Sequence, residues 1–217
     1  MIEIARQWRH YGDAIENVPI DTILGYDYGD PDHEETHDVS TGTTNGNYRK
    51  IKNEFLLPFL KNKTIMEVGT FDGKWIQFFK DADKIICVDL FDNGFTRMRE
   101  RWKWSNLFFY KTEGRELKGI DSESVDIIFS IDSLVRTDKD ALKDYFKEFK
   151  RVLKKDGKMC IHLPCTCSAK SLIKGFTDLT EDEIIAYCNE FKIENYKINK
   201  NTITHGVLLL VNYDQTT

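Results

Sequence analysis

The sequence lacks the features of a membrane or secreted protein. None of its 217 residues belongs to a run near the roughly 18 consecutive apolar residues that a membrane helix needs. The opening stretch, MIEIARQWRHYGD, has no apolar core like that of a signal peptide. Five cysteines, an odd number, do not indicate a disulfide framework. We therefore expect a cytoplasmic protein that does not associate with membranes.

An excess of positive charge is also missing. The chain has 31 Lys and Arg residues against 36 Asp and Glu residues, a net charge of −5. Proteins that bind a nucleic-acid backbone do so with clusters of cations, so the composition argues against a nucleic-acid partner. The hydrophobic fraction of 41% and the charged fraction of 31% are ordinary for a globular chain. A chain of this length can bury a sizeable single core.

The negative charge is concentrated near the N-terminus. Residues 1–45 carry ten acids and two arginines, a net charge of −8, so residues 46–217 are net +3. Asp21–Ser40 contains seven acids and no Lys or Arg, and the run TGTTNGN follows at 41–47. These glycines and polar residues are typical of a loop. We expect residues 1–47 to form an acidic arm or lid on one domain of residues 48–217.

Two histidines in this arm raise the question of a metal site. His33 and His37 lie four residues apart among acids, a spacing that suits a divalent metal if the segment is helical. The neighbouring sequence Asp30-Pro31-Asp32 favours a loop instead. A solvated acidic loop is the interpretation that the residues favour, and no metal is predicted.

From Tyr48 onward, short apolar strands alternate with amphipathic helices. The predicted strands are Thr64–Gly69, Lys84–Leu90, Leu107–Thr112, Val125–Ile131, Lys158–Leu163, Ile193–Ile198 and His205–Tyr213. The predicted helices are Tyr48–Leu60, Lys74–Lys80, Thr96–Trp104, Lys139–Leu153 and Glu181–Glu190. Gly157 suits a left-handed cap after the fourth of these helices.

This alternation predicts an α/β fold. Strands joined through helices form a mostly parallel sheet with helices on both faces. The last two strands are separated only by residues 199–204, so we expect them to pair as an antiparallel hairpin. The prediction is a Rossmann-like, seven-stranded, mostly parallel sheet that ends in a C-terminal antiparallel hairpin.

The first strand-to-helix turn, EVGTFDGKW at 67–75, is the first candidate site. Its glycines let a ligand approach the backbone, and a helix N-terminus after it offers free N–H groups. Asp89 ends the second predicted strand 20 residues after Gly69. A Rossmann fold presents a carboxylate to ribose hydroxyls at this distance. The pattern predicts a ribose-containing ligand.

Four segments resemble the class I S-adenosylmethionine-dependent methyltransferases, in particular their small-molecule branch. IMEVGTFDGKW is similar to the first family motif, IICVDL to the second, SESVDIIFSIDSLV to the strand-four motif, and FKRVLKKDGKMCIHLP to the helix, turn and strand that follow. The resemblance covers about residues 48–213. Phe71 departs from it, because the family commonly has glycine there. The loop also lacks the third glycine of the nicotinamide dehydrogenase fingerprint.

The resemblance implies S-adenosylmethionine as the cofactor and assigns its contacts by matched position. Asp89 would accept hydrogen bonds from two ribose hydroxyls, Glu67 would orient the loop, and Glu113 would meet the adenine amino group. The full implied cofactor-binding set is Glu67, Gly69, Thr70, Phe71, Gly73, Asp89, Leu90, Glu113, Gly114 and Ser130.

Asp132 and His162 are the candidate catalytic residues. An oxygen acceptor must lose a proton, usually to a carboxylate or histidine within hydrogen-bond reach. Asp132 follows the fourth predicted strand and His162 lies near the end of the fifth, so both belong to the sheet edge that should hold the ligand. A histidine at this position can equally serve to satisfy a backbone carbonyl.

Two other methyltransferase classes do not fit. Pro164-Cys165 resembles the nucleophile motif of cytosine-C5 methyltransferases, but that motif follows strand four and this pair follows strand five. The Asn/Asp-Pro-Pro-Tyr motif of amino-group DNA methyltransferases is absent after strand four. Cys165 and Cys167 are too few for a zinc site, so we expect ordinary thiols.

Two functions therefore stay open. The resemblance implies an enzyme that methylates a small-molecule acceptor, most simply a hydroxyl of a sugar or related metabolite. The alternative is a catalytically silent member of the fold that binds a partner through its acidic arm.

Overall fold

The computed structural model describes residues 45–168 and 175–213. Most of the acidic arm, residues 1–44, lies outside the described part. The strands are β1 Thr64–Val68, β2 Lys84–Asp89, β3 Leu107–Lys111, β4 Val125–Ser130, β5 Leu153–Leu163, β6 Tyr196–Asn199 and β7 Val207–Val211. The α-helices of these residues are α1 Asn45–Lys50, α2 Asn93–Arg101, α3 Lys139–Val152 and α4 Glu181–Glu190.

The seven strands form one sheet in the order β3-β2-β1-β4-β5-β7-β6. The strands β1 to β5 pair in parallel, whereas β7 is antiparallel to both β5 and β6. The predicted fold class and its terminal hairpin are therefore confirmed. Leu163, at the end of β5, pairs with Val207, at the start of β7. The residues just before β7 consequently lie at the same edge as the carboxyl ends of the parallel strands.

Apolar side chains cover both faces of this sheet. One face packs against α3 and α4 through buried residues such as Phe146, Phe149 and Ile184. The other face packs against the helical segment after α1 and the loop after β1, through residues such as Phe55 and Trp75. Full burial of each such side chain contributes about 1.5–3 kcal/mol. Because both faces are covered, the strand ends are where the described residues leave room for a site.

The ends of the helices follow from their capping residues. Thr180 and Glu183 form a reciprocal capping box at α4, where the Thr180 side chain accepts from the Glu183 amide and the Glu183 carboxylate accepts from the Thr180 amide. Asp138 accepts from the Ala141 amide at the start of α3. The bounds predicted for α4 are those of the structure. At the N-terminal end, α1 starts at Asn45, inside the run that was predicted to be a loop.

The predicted helix at Lys74–Lys80 is wrong. The chain makes turns there and one short 3-10 segment, Ile76–Phe78. The Ile76 amide donates to the Gly73 carbonyl at 3.0 Å, and the Phe79 amide donates to the Ile76 carbonyl at 2.9 Å. Both hydrogen bonds span three residues, as in a 3-10 helix. The tighter winding buries Trp75 and Phe79 in the core. The expected helix N-terminus after the loop is therefore missing from this part of the chain.

The predicted cap at Gly157 is also wrong. The chain passes from α3 directly into β5 at Leu153, and Gly157 does not adopt the left-handed conformation. Val125 pairs with Leu153 and Ile127 pairs with Lys158, so a bulge in β5 absorbs the four intervening residues. An ion pair of 2.8 Å between Lys154 and Asp126 holds this bulge beside β4. The predicted sixth strand, Ile193–Ile198, is closer to the structure, in which β6 is Tyr196–Asn199.

Across residues 45–168 and 175–213, no helix has both the length and the apolar character needed to cross a membrane.

Candidate active site

The loop after β1 packs tightly against the residues that follow β4. Gly69 and Gly73 have φ values of 79° and 82°, and Phe71 between them has a φ of 47°. A Cβ atom built on Gly69 would lie 2.1 Å from Cβ and Oγ of Ser133, whose hydroxyl donates to the Gly69 carbonyl at 3.0 Å. Glycine is required at position 69 because of this packing and the positive φ. The predicted approach of a ligand to the backbone is a separate reason for glycine in this loop.

Replacement of Gly69 by alanine is expected to destabilise the protein more than the same change at Gly119. Both residues have φ near 80°, and a left-handed non-glycine residue costs about 1–2 kcal/mol. The added methyl at position 119 meets Tyr110 at an ordinary 3.4 Å, whereas at position 69 it overlaps Ser133. Overpacking adds about 1–3 kcal/mol. Thermal unfolding of the two variants measures the difference, and equal melting temperatures would contradict the packing argument.

Asp89 anchors this loop from the end of β2. Its two carboxylate oxygens accept from the amides of Phe71 and Phe91 at 2.8 and 3.0 Å. Burial raises the pKa of Asp89, against the opposing effect of these two hydrogen bonds. A carboxylate offers about four lone-pair positions. Asp89 therefore keeps acceptor capacity after it has fixed the loop.

Glu67 is a buried acid with an unused acceptor. It lies in β1, and its Oε2 atom has no hydrogen-bond partner among the residues that the structure describes. Burial raises the pKa of Glu67 well above its usual range, and the charge of Asp89 raises it further. An unsatisfied buried polar group costs about 1–3 kcal/mol. Such an atom beside the loop fits a site that receives a donor from a bound ligand.

A second buried acid joins the loop to α2. Asp72 Oδ1 accepts from Arg97 Nε at 2.6 Å, and the Asp72 side chain is almost completely buried. Thr70 turns its hydroxyl inward, toward the carbonyls of Glu67 and Val88 at 3.2 and 3.3 Å. These contacts fix the backbone of the loop.

The other residues implied by the resemblance differ in their surroundings. Gly114 is buried beside Leu90, since a Cβ atom on Gly114 would lie 2.9 Å from Leu90 Cδ2. The residues that follow β2 and β3 therefore lie in contact. Glu113 is exposed. Ser130 is fully buried, and its hydroxyl donates to the Val68 carbonyl at 2.8 Å. The Ser130 hydroxyl therefore donates a hydrogen bond that links β4 to β1.

The two candidate catalytic residues are in direct contact. Asp132 Oδ1 lies 2.9 Å from His162 Nδ1 and also 2.9 Å from Nε2 of His205. The other carboxylate oxygen accepts from the hydroxyl of Tyr48 at 2.6 Å. Asp132 has a φ of 61°, a conformation that is strained for a non-glycine residue and that surrounding contacts must maintain. We call Asp132, His162 and His205 the Asp–His cluster.

Charge in the Asp–His cluster is unevenly distributed. Burial opposes ionisation of Asp132, but hydrogen bonds and charge from His162 and His205 outweigh it and hold the pKa of Asp132 well below its usual range. Burial lowers the pKa of His162, although Asp132 counteracts part of this effect. At neutral pH the cluster therefore contains an ionised carboxylate beside a neutral His162.

Sequence reasoning missed His205 and Tyr48. His205 lies just before β7, and its place in the site depends on the antiparallel pairing of β7 with β5. The sequence predicted pairing of the last strand with the sixth strand but not with the fifth. Tyr48 lies in α1 and reaches Asp132 across 84 positions of the chain. No local sequence signal identifies such a contact.

Cys165 and Cys167 are joined by a disulfide, so the expectation of ordinary thiols is wrong. A tight turn after β5 brings them together: the Ser168 amide donates to the Cys165 carbonyl at 3.0 Å, and the Cα atoms of the two cysteines are 5.1 Å apart. This separation is within the usual range for a disulfide. The other three cysteines, Cys87, Cys160 and Cys188, are buried thiols.

Comparison with known proteins shows a similarity over part of the chain. Residues 65–157 match the family model described as "Methyltransferase domain". This range runs from β1 through the loop, Asp89 and Asp132 into the bulge of β5. None of the curated proteins matches the chain.

Solved structures share the fold at low sequence identity. A putative S-adenosyl-L-methionine-dependent methyltransferase from Methanococcus maripaludis is 15% identical with a TM-score of 0.60, over 94% of this chain and 93% of that one. An S-adenosylmethionine-dependent methyltransferase from Mesorhizobium loti is 13% identical with a TM-score of 0.58, over 76% and 95%. The CurJ carbon methyltransferase is 12% identical with a TM-score of 0.54, over 76% of this chain and 52% of that longer one.

Proposed function

We propose that this chain is a class I S-adenosylmethionine-dependent methyltransferase that transfers a methyl group to a small-molecule acceptor, a hydroxyl of a sugar or related metabolite. The observation that carries this proposal is the position of the Asp–His cluster. Asp132 is the chain neighbour of Ser133, whose hydroxyl donates to the Gly69 carbonyl in the loop after β1. A cluster able to remove a proton lies beside the loop that would hold the methyl donor.

The loop and its buried acids would hold the cofactor. When bound, S-adenosylmethionine supplies a methyl group activated by a positively charged sulfur. The free lone pairs of Asp89 would accept from the ribose hydroxyls, and Oε2 of Glu67 would accept a further donor. Leu90 and Gly114 would form an apolar wall beside the adenine. Glu113, which is exposed, supports the adenine contact less than its neighbours do.

The Asp–His cluster would orient the acceptor and be the place where its proton is lost. Asp132 has a side chain that is 37% exposed, whereas His162 and His205 are buried at 0% and 3%. An incoming hydroxyl therefore reaches the carboxylate first. Tyr48 holds the other oxygen of that carboxylate, so the acceptor meets a group of fixed orientation.

The acidic arm would act as a lid over this edge of the sheet. Residues 1–40 lie outside the described residues, and α1, which follows the arm, carries Tyr48 to the cluster. Because the arm is joined in sequence to α1, we propose that it covers the acceptor and excludes water.

Deletion of Met1–Ser40 is expected to leave S-adenosylmethionine affinity within about tenfold, or roughly 1.4 kcal/mol, and to abolish methyl transfer. The deletion keeps all of α1, the loop after β1 and Asp89. Calorimetry gives the affinity, and turnover of the true acceptor gives the activity. Full turnover by the truncated protein would show that the acceptor site lies within residues 48–213.

Calorimetric titration with S-adenosylmethionine tests the proposed cofactor. We expect one saturable site per chain and a rise in melting temperature, since a ligand that binds only the native state stabilises it. The absence of heat and of thermal shift at millimolar ligand would favour the alternative, a silent member of the fold that binds a partner.

A further inference from the structure

The Asp–His cluster has the composition of a metal-binding site. It offers two imidazole nitrogens and one carboxylate oxygen, ligands that zinc and other divalent transition metals prefer. We propose that Asp132, His162 and His205 bind one divalent transition-metal ion.

The distances within the cluster suit this role. The three potential ligand atoms, one from each residue, all lie within 4.8 Å of one another. Two of the separations, from Asp132 Oδ1 to the nearest nitrogen of each histidine, are 2.9 Å. Atoms that bind one ion at about 2.0–2.1 Å lie roughly 3 Å apart. Small side-chain movements are therefore sufficient for binding, which uses the unprotonated nitrogen of each imidazole.

Three separate parts of the fold hold the ligands in place. Asp132 follows β4, His162 lies within β5, and His205 precedes β7. The Tyr48 hydroxyl binds Asp132 Oδ2 and leaves Oδ1 directed at the two histidines. Hydrogen bonds of this kind orient metal ligands from outside the coordination shell. A site with rigid ligands and an oriented carboxylate is prepared for an ion.

The site would leave coordination positions open. Three protein ligands are typical of catalytic zinc, which keeps its remaining position for water or substrate. Water or substrate would reach the ion beside Asp132, which is the partly exposed member of the cluster. Two imidazoles favour Zn²⁺, Fe²⁺ or Ni²⁺ over Mg²⁺, which prefers oxygen ligands.

The ion would also explain how the acceptor loses its proton. A hydroxyl bound to a divalent metal is far more acidic than a free one, and the metal fixes its oxygen in place. This use of the ion rests on the proposed function, whereas its binding does not. Metal binding is therefore measured directly, without an acceptor or a methyl donor.

The test is calorimetric titration of the full chain with Zn²⁺, after treatment with a chelator and dialysis. No thiol reductant is added, so Cys165 and Cys167 stay joined and offer no thiolates. We expect one saturable site per chain, an increase in melting temperature, and no binding of Mg²⁺. His205→Gln is expected to weaken binding at least about 100-fold, because loss of an outer partner alone costs 10–100-fold. The matched control, His33→Ala with His37→Ala, removes two histidines from the arm and should bind Zn²⁺ as the unchanged protein does.

Each result decides the proposal. Circular dichroism first shows whether His205→Gln is folded; if it is not, Asp132→Asn takes its place, since its side chain is partly exposed. Loss of binding in the folded variant, with binding kept in the control, supports the site. Absence of saturable Zn²⁺ binding in the unchanged protein overturns it, and so does loss of the site in the arm variant. Methyl transfer that continues without metal would leave the proposed function intact.

Discussion

Asp132→Asn is expected to lower kcat by about 100- to 10,000-fold, the usual contribution of a group that assists proton transfer. Asparagine keeps the shape of the side chain and one acceptor oxygen but loses the charge. His162 and His205 then face a neutral amide, so the cluster loses the carboxylate that would accept the acceptor's proton or bind an ion of charge +2. Affinity for S-adenosylmethionine should stay within about threefold, or roughly 0.65 kcal/mol, because Asp89 and the loop are unchanged.

Steady-state kinetics with the true acceptor measures this effect, and calorimetry measures cofactor affinity in the same preparation. Asp121→Asn is the matched control, since it makes the same change at an exposed acid before β4. Its kcat should equal that of the unchanged protein. A kcat within twofold of normal in a folded Asp132→Asn variant would remove the Asp–His cluster from the chemistry.

Asp89→Ala is expected to weaken S-adenosylmethionine binding by about 100- to 10,000-fold. A hydrogen bond to a charged group contributes about 1.5–3 kcal/mol, and Asp89 would make two to the ribose. The same substitution removes the acceptors of the Phe71 and Phe91 amides, so the loop also loses its anchor. Both losses act in the same direction.

Calorimetric titration measures the affinity, with Asp81→Ala as a control at an exposed acid in the turn before β2. Asp89→Asn separates the two contributions, because it keeps one acceptor oxygen for the loop and loses the charge. We expect its affinity to lie between those of the unchanged protein and Asp89→Ala. Unchanged affinity in a folded Asp89→Ala variant would show that Asp89 serves only to anchor the loop.

The order of elements was predictable because local patterns determine it. The capping box at Thr180 and the apolar stripe of α3 specify their helices within the segment itself. Buried apolar runs specify β1, β2 and β4 in the same way. The segment Lys74–Lys80 contains enough apolar residues for a helix, but tertiary packing of Trp75 and Phe79 winds it more tightly. Local propensity does not contain that information.

The candidate site was predictable only in part, for a related reason. Asp89, Asp132 and His162 stand at strand ends, and parallel strands bring their carboxyl ends to one edge. His205 and Tyr48 reach the same place through strand order and through the position of α1, which depend on the whole sheet. The disulfide of Cys165 and Cys167 depends on a turn whose hydrogen bonds involve backbone atoms.

Transfer of labelled methyl from S-adenosylmethionine into a metabolite extract tests the proposed function most directly. The full chain is incubated with the extract, and small molecules are separated from protein and nucleic acid before counting. We predict label in the small-molecule fraction, and loss of that label with Asp132→Asn but not with Asp121→Asn. Label confined to protein or nucleic acid, or binding of S-adenosylmethionine without transfer to any fraction, would contradict the proposal of a small-molecule methyltransferase.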